Sequence, residues 1–258
     1  MLSGLGGELV GSLTDLVLPA GCAGCGADRV PLRSGACADC AAALEALIPF
    51  STEPVPPPRG MPPCSAVGAY AGPLRSALLA YKERGRHRLA GPLGALLATA
   101  VADAAVRRGG GPAVPVVIVP VPSTTRAIRA RQGDHMARLA AHAVRRLRTA
   151  GWQAELARPL RALPRPDSAS LDPAGRAVVA ESSLRIRPAR IRILRRALTM
   201  KRTLIVVDDI VTTGATMAAV TSRLGEAQVQ VTGAAVLAAT RLRAARADRP
   251  VPRSPNEG

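Results

Sequence analysis

Residues 204–216 read Leu-Ile-Val-Val-Asp-Asp-Ile-Val-Thr-Thr-Gly-Ala-Thr. The apolar run ends in two adjacent carboxylates, Asp208 and Asp209. A turn of threonine and glycine follows, and then a helix-forming stretch, 217–224. In an α/β sheet this order brings the C-terminal end of a buried strand, an acidic pair and a helix N-terminus to one spot, where such sheets bind ligands. The amides of the 212–216 turn and of the helix start attract an anion such as phosphate. The carboxylates can accept hydrogen bonds from vicinal hydroxyls or face a divalent metal. A sugar phosphate satisfies both halves at once.

Outward from this run the chain alternates. Helices are expected at 73–82, 89–108, 134–149, 171–181 and 215–225, and strands at 114–121, 152–158, 203–208 and 229–239. Strands alternating with helices predict an α/β fold with a mainly parallel sheet and helices on both faces. At 258 residues there is room for one such domain, over 66–245, and a small module before it. That module is expected over 1–52, joined by a Pro-rich linker at 53–65; the polar, Pro-containing tail at 246–258 is expected to fray.

The N-terminal module holds Cys22-Ala-Gly-Cys25 and Cys37-Ala-Asp-Cys40, two C-x-x-C knuckles eleven residues apart. Four thiolates are the number that tetrahedral Zn²⁺ takes, so Cys22, Cys25, Cys37 and Cys40 form a candidate structural zinc ribbon. A redox dithiol or a pair of disulfides is the other use of such a pattern. A closed four-cysteine site has no open coordination position, which assigns it to folding and docking rather than catalysis. Cys64 stands alone and reads as a small apolar residue. The first eighteen residues lack a basic start and contain Glu8 and Asp15; no secretory leader is expected, and a cytoplasmic location follows.

The formal net charge is +17. Residues 1–65 carry three arginines against six acids, so the excess lies in the remainder, almost all of it arginine; the only lysines are Lys82 and Lys201. Arginine grips phosphate through a rigid fork of donors, and a basic surface also permits nucleic-acid binding. With four aromatics in all (Phe50, Tyr70, Tyr81, Trp152), a base-stacking platform would be thin. No apolar run reaches the eighteen or so residues of a membrane span. Residues 90–106 come nearest and read as an amphipathic helix. The chain has no Walker phosphate loop, G-x-G-x-x-G, H-E-x-x-H or G-x-S-x-G, which argues against nucleotide hydrolases, dehydrogenases, zinc proteases and esterases.

The 204–216 run is similar to the phosphoribosyl-pyrophosphate (PRPP) motif of type I phosphoribosyltransferases. Together with the cysteine cluster at 22–40 and the stretches 70–89 and 119–139, it gives a layout that resembles the ComF family over about residues 13–240. By that resemblance Asp208 and Asp209 bind the ribose hydroxyls and serve as the catalytic pair, and Thr212, Thr213, Gly214, Ala215 and Thr216 hold the 5′-phosphate. Mg²⁺ accompanies the pyrophosphate, and Ser123, Arg126, Arg131, Lys82 and Arg176 are candidates for the pyrophosphate side. The stretch 163–176 looks like the mobile hood loop. Where the family shows Arg-Gly-aromatic-Asn-Gln, this chain has Arg131-Gln-Gly-Asp134-His135; Asp134 reads as a helix cap, and His135 as a proton carrier or, more often for a lone histidine early in a helix, a solvated side chain. The resemblance implies transfer of ribosyl 5-phosphate from PRPP to an unknown acceptor. It also leaves open a non-catalytic PRPP-fold factor, docking on single-stranded DNA or on DNA-uptake machinery through the zinc ribbon and the basic run 185–196. Nothing in the sequence fixes the oligomeric state.

Overall fold

The computed structural model describes residues 21–163, 183–197 and 202–240. Five consecutive buried residues make β3 (Val116–Pro120), and the apolar run of the opening motif makes β7 (Thr203–Val211). These two pair in parallel, Val116 opposite Thr203 through to Pro120 opposite Val207. On the far side of β7 lie β8 (Gly233–Ala239) and β2 (Cys64–Ala69), both parallel, and then β1 (Phe50–Thr52), the one antiparallel strand. Beyond β3 comes β4 (Ala154–Leu156), so the order across the sheet is β1-β2-β8-β7-β3-β4. A separate antiparallel pair, β5 (Leu160–Ala162) and β6 (Leu184–Ile186), stands outside it.

Alternation along the strands divides the core in two. Ile205 and Val207 of β7 point to one face. There α2 (Gly72–Glu83), α3 (Ala90–Val106) and α5 (His135–Thr149) bury Leu78, Leu97, Leu139 and their neighbours. Leu204 and Val206 point to the other face, against α6 (Pro188–Ala197) and α7 (Ala215–Glu226). The two remaining helices are short: α1 (Ala38–Glu45) in the cysteine region and α4 (Thr125–Ala130) after β3. Among the described residues the sheet is therefore mainly parallel and covered on both faces, the α/β architecture the sequence predicts.

Several elements depart from the sequence reading. The expected strand 152–158 is two, β4 and β5, which belong to different sheets. The stretch 64–69, Cys-Ser-Ala-Val-Gly-Ala, gives no strand signal because it contains a single β-branched residue, yet β2 is buried along nearly its whole length. Phe50–Thr52 joins the central sheet through β2 rather than staying with the cysteine module, and the expected helix 171–181 lies outside the described residues. The helical run His87–Val106 is long and apolar enough to cross a membrane by length and composition, but most of it is buried. Its helix α3 packs on the sheet on one side and on α5 on the other. A helix sandwiched this way is apolar nearly all round rather than amphipathic.

Close approach of α3 and α5 depends on Gly94. A Cβ there would collide with Cβ of His142 and lie 3.1 Å from the carbonyl oxygen of Leu139. Because the obstacles are backbone and Cβ atoms, the helices must separate to admit a methyl group. Gly94→Ala is expected to destabilise the fold by about 2 kcal/mol or more, read as a lowered urea midpoint at unchanged slope.

Candidate functional site

The connections leaving β3 and β7 run in opposite directions. The chain passes from β3 through α5, on the first face, to β4; from β7 it passes through α7, on the second face, to β8. The carboxyl ends of β3 and β7 thus flank a topological switch point, the crevice where open α/β sheets take ligands. The loop after Pro120 and the acidic pair with its turn both belong to that end of the sheet.

The two aspartates part company there. Asp209 is buried and directed toward the first face, where Lys82 in the last turn of α2 puts Nζ 2.6 Å from its Oδ2. His135 Nε2 lies 3.5 Å from the same oxygen. Burial alone would raise the Asp209 pKa; the His135 contact and the Lys82 ammonium overcome it and hold the carboxyl below the ordinary carboxylate range. Asp208 is directed toward the second face and has no ion-pair partner among the described residues; its Oδ1 accepts from the Asp209 amide at 2.9 Å. Burial, and then the neighbouring Asp209 charge, push its pKa up to about 8. One carboxylate is satisfied by protein. The other is a hard oxygen donor in want of hydroxyls or a cation.

After Val211 the chain turns through Thr212 and Thr213, both exposed, to a buried Gly214 at φ +73°, the N-cap of α7. The left-handed φ requires glycine. Among the described residues no protein acceptor takes the amides of Thr212, Thr213, Gly214 or Thr216, and the Ala215 amide has only Thr213 Oγ1 at 3.5 Å. This is a row of free donors at the positive end of a helix. Over Gly214 lies the Pro-rich segment: a Cβ there would collide with the Met61 sulfur and sit 3.1 Å from both Pro54 and Pro58. Within the stretch 53–65, read from the sequence as a linker, residues 54–61 double back over the turn and residues 64–65 belong to β2.

His135 is not the solvated residue the sequence suggests. Its side chain is only 11% exposed. Ser123 Oγ is 3.4 Å from its Nδ1 and donates to Asp134 Oδ1 at 3.2 Å. The Tyr81 hydroxyl donates to the His135 carbonyl at 3.1 Å, which ties α2 to the start of α5. Asp134 does cap α5, accepting from the Ala137 amide at 3.1 Å, and Arg158 Nη2 closes on its second oxygen at 2.6 Å. No spacing in the sequence links 81, 123, 135 and 209, so only their order in the sheet brings them together.

Of the remaining candidates, Lys82, Arg126 and Arg131 line one open cleft of about 520 Å³, with Arg84 and His87; Arg131 is paired with Glu83 at 3.2 Å. Ser123 lies across the loop from it, in a second cavity. Arg176 and most of the 163–176 stretch lie outside the described residues.

The four cysteines converge, with all their sulfurs within 4.8 Å of one another and Cys25 Sγ 3.8 Å from Cys37 Sγ. A Zn–S bond of about 2.3 Å gives a tetrahedral S···S edge of about 3.8 Å, so a zinc ion fits. The thiols differ: burial opposes ionisation of Cys22, but amides of Cys25, Cys37 and Gly24 bring it down to about 6, while Cys40 is pushed up to about 12 by burial and by its sulfur neighbours. A divalent cation removes that conflict. Cys64 sits apart in β2, its thiol pushed up to about 12 by burial and then by the Asp208 charge. The cluster rests against α2 and the turn after it: Gly24 packs beside Pro73 of α2, and Arg86 donates to the Gly21 carbonyl at 2.5 Å.

Residues 166–256 match the phosphoribosyl transferase domain. The match spans about a third of the chain and takes in the acidic pair, the glycine turn and α7. It supports the type I phosphoribosyltransferase superfamily and, in general terms, PRPP binding and phosphoribosyl transfer. No curated protein matches the chain.

Two outcomes follow. Cys37→Ser leaves three thiol ligands, so the purified protein is expected to lose most of its zinc by elemental analysis while far-ultraviolet circular dichroism keeps the signal of the sheet and its helices. Burial obliges Asp208 to keep a proton at neutral pH, which costs folding free energy through the raised pKa, so Asp208→Asn is expected to raise the unfolding free energy by on the order of 1 kcal/mol at neutral pH, measured by urea titration; destabilisation of that size would contradict the assignment of Asp208 as an acid without an ion-pair partner.

Proposed function

We propose that this protein is a ComF-like phosphoribosyltransferase that binds PRPP with Mg²⁺ and transfers its ribosyl 5-phosphate to an acceptor. The observation that carries the reading is the presence, around one switch point, of an acid without an ion-pair partner, a row of amides that no described residue accepts from, and a basic cleft. The amides and hydroxyls of Thr212–Thr216 take the 5′-phosphate, and Asp208 accepts from the ribose hydroxyls. Lys82, held by Asp209, faces the pyrophosphate with Arg126 and Arg131. The hard oxygens of Asp208 and of the diphosphate are suited to Mg²⁺, which when bound offsets charge on the departing group.

The acceptor's nucleophile forms a bond to the anomeric carbon as the bond from that carbon to the pyrophosphate oxygen breaks, and pyrophosphate leaves with the electron pair. Positive charge builds on the sugar and negative charge on the leaving group. The chain's part is to orient the ribose and to receive the negative charge on cations that are already in place. The nucleic-acid alternative has weaker support: of the arginines on α6, Arg195 is already engaged by Gln228 at 2.6 Å.

Calorimetry with PRPP and Mg²⁺ tests the reading. Wild type is expected to bind and Asp208→Asn/Asp209→Asn to fail; equal binding by both would remove the site. The pH dependence has a defined sign. Below its pKa of about 8 Asp208 holds a proton that must leave before the carboxylate can accept ribose hydroxyls. Affinity should therefore climb by up to about ten-fold per unit as pH rises toward 8 and level off above it, and Asp208→Asn should flatten the profile.

A further inference from the structure

A second cavity, of about 270 Å³, opens on the other side of the loop that follows β3. Apolar side chains contribute to its lining, with Val121 from that loop, Ile128 from α4 and Leu160 from β5. Arg158, Arg161 and Arg187 all line it, from the chain before β5, from β5 itself and from the residue after β6. The only carboxylate in the lining is Asp134, and that group is spent: it caps α5, accepts from Ser123 and pairs with Arg158. No described residue offers Arg161 or Arg187 an ion-pair partner. Among the described residues the cavity therefore presents two guanidinium groups without an ion-pair partner.

Its distance from the sugar site is short in bonded terms. Ser123, in the cavity wall, is 3.4 Å from one nitrogen of His135, and the other nitrogen is 3.5 Å from Asp209. The basic cleft with Lys82 lies on the opposite side of the same loop.

We infer that the cavity lined by Arg158, Arg161 and Arg187 is the acceptor site and that it takes a compact anionic acceptor, a ring-sized body bearing a carboxylate or a phosphate. The inference rests on the PRPP reading for the word acceptor; the anion preference rests on the cavity alone. The volume of about 270 Å³ falls just below the range of about 300–1,000 Å³ common for ligand sites, which suits a compact acceptor. Guanidinium forks match carboxylate and phosphate oxygens bidentately, and Val121, Ile128 and Leu160 in the lining can pack on the flat or aliphatic body that carries them. A neutral acceptor would leave both arginines without a counter-charge when it excluded water from them.

The test uses the full-length, zinc-loaded protein with Mg²⁺ and PRPP, and matched probes: benzoate and nicotinate against benzamide and nicotinamide, with inorganic phosphate as a separate arm. By calorimetry the acids are expected to bind about ten-fold or more tighter than their amides, and Arg161→Gln/Arg187→Gln to erase that preference at unchanged PRPP affinity. Arginine-dependent binding of phosphate equal to that of the acids would assign a phosphate-bearing acceptor, and a clear lead for the acids a carboxylate. Acid and amide binding alike, a preference that survives the double substitution, or no saturable binding of any anion at millimolar concentration would overturn the inference. If PRPP binds and the acids show no preference, this inference fails alone; if the acids bind in the arginine-dependent way and PRPP does not, the PRPP reading fails and the anion cavity stands.

Discussion

A carboxylate at the end of a buried strand must find a cation or lose its charge, and Asp209 finds Lys82. The pair joins β7 to the last turn of α2 across the mouth of the crevice. Removing one partner of a buried pair costs about 3–5 kcal/mol. With a quarter of the Lys82 side chain exposed, the lower end applies. The pair's worth is not mainly in stability. It fixes an ammonium at the rim of the basic cleft, and through the Tyr81 hydroxyl the same helix fixes the His135 backbone. What the crevice can bind depends on α2 being held at this angle, and the ion pair holds it.

Adjacent residues on a strand face opposite sides, and the acidic pair uses this. Asp209 is turned to the face that supplies Lys82 and His135, and its charge is secured by them. Asp208 is turned to the face of α7 and Cys64, where burial raises its pKa and nothing described pairs with it. The pair is thus divided into a structural half and a half left unsatisfied by the protein. An unsatisfied, partly exposed acid beside a row of free amides is a local cost to folding that a ligand removes.

The N-terminal region is part of this arrangement. The four-cysteine cluster packs against the start of α2 and the turn that follows it, and the Pro-rich segment crosses over Gly214. A metal at the cysteines therefore supports the same helix that carries Lys82, and residues 54–61 cover the turn that carries the free amides. The cysteine module and the α/β domain meet at the site's two supports.

The sequence by itself determined the elements whose causes are local. The apolar run of β7, the acidic pair, the glycine turn, the C-x-x-C spacing and the Asp134 cap can each be read within a few residues, because strand, turn, ligand and cap chemistry act over that range. Tertiary structure decided the rest. β2 is a strand because β1 and β8 flank it, not because Cys-Ser-Ala-Val-Gly-Ala prefers to be one. His135 is buried because Ser123 reaches it from the loop after β3 and Asp209 from β7, and the arginines of the second cavity meet because β5 pairs with β6 from more than twenty residues away. The division of labour between Asp208 and Asp209 was also beyond the sequence, since two identical neighbours acquire different charges only when each sheet face presents its own neighbours to them.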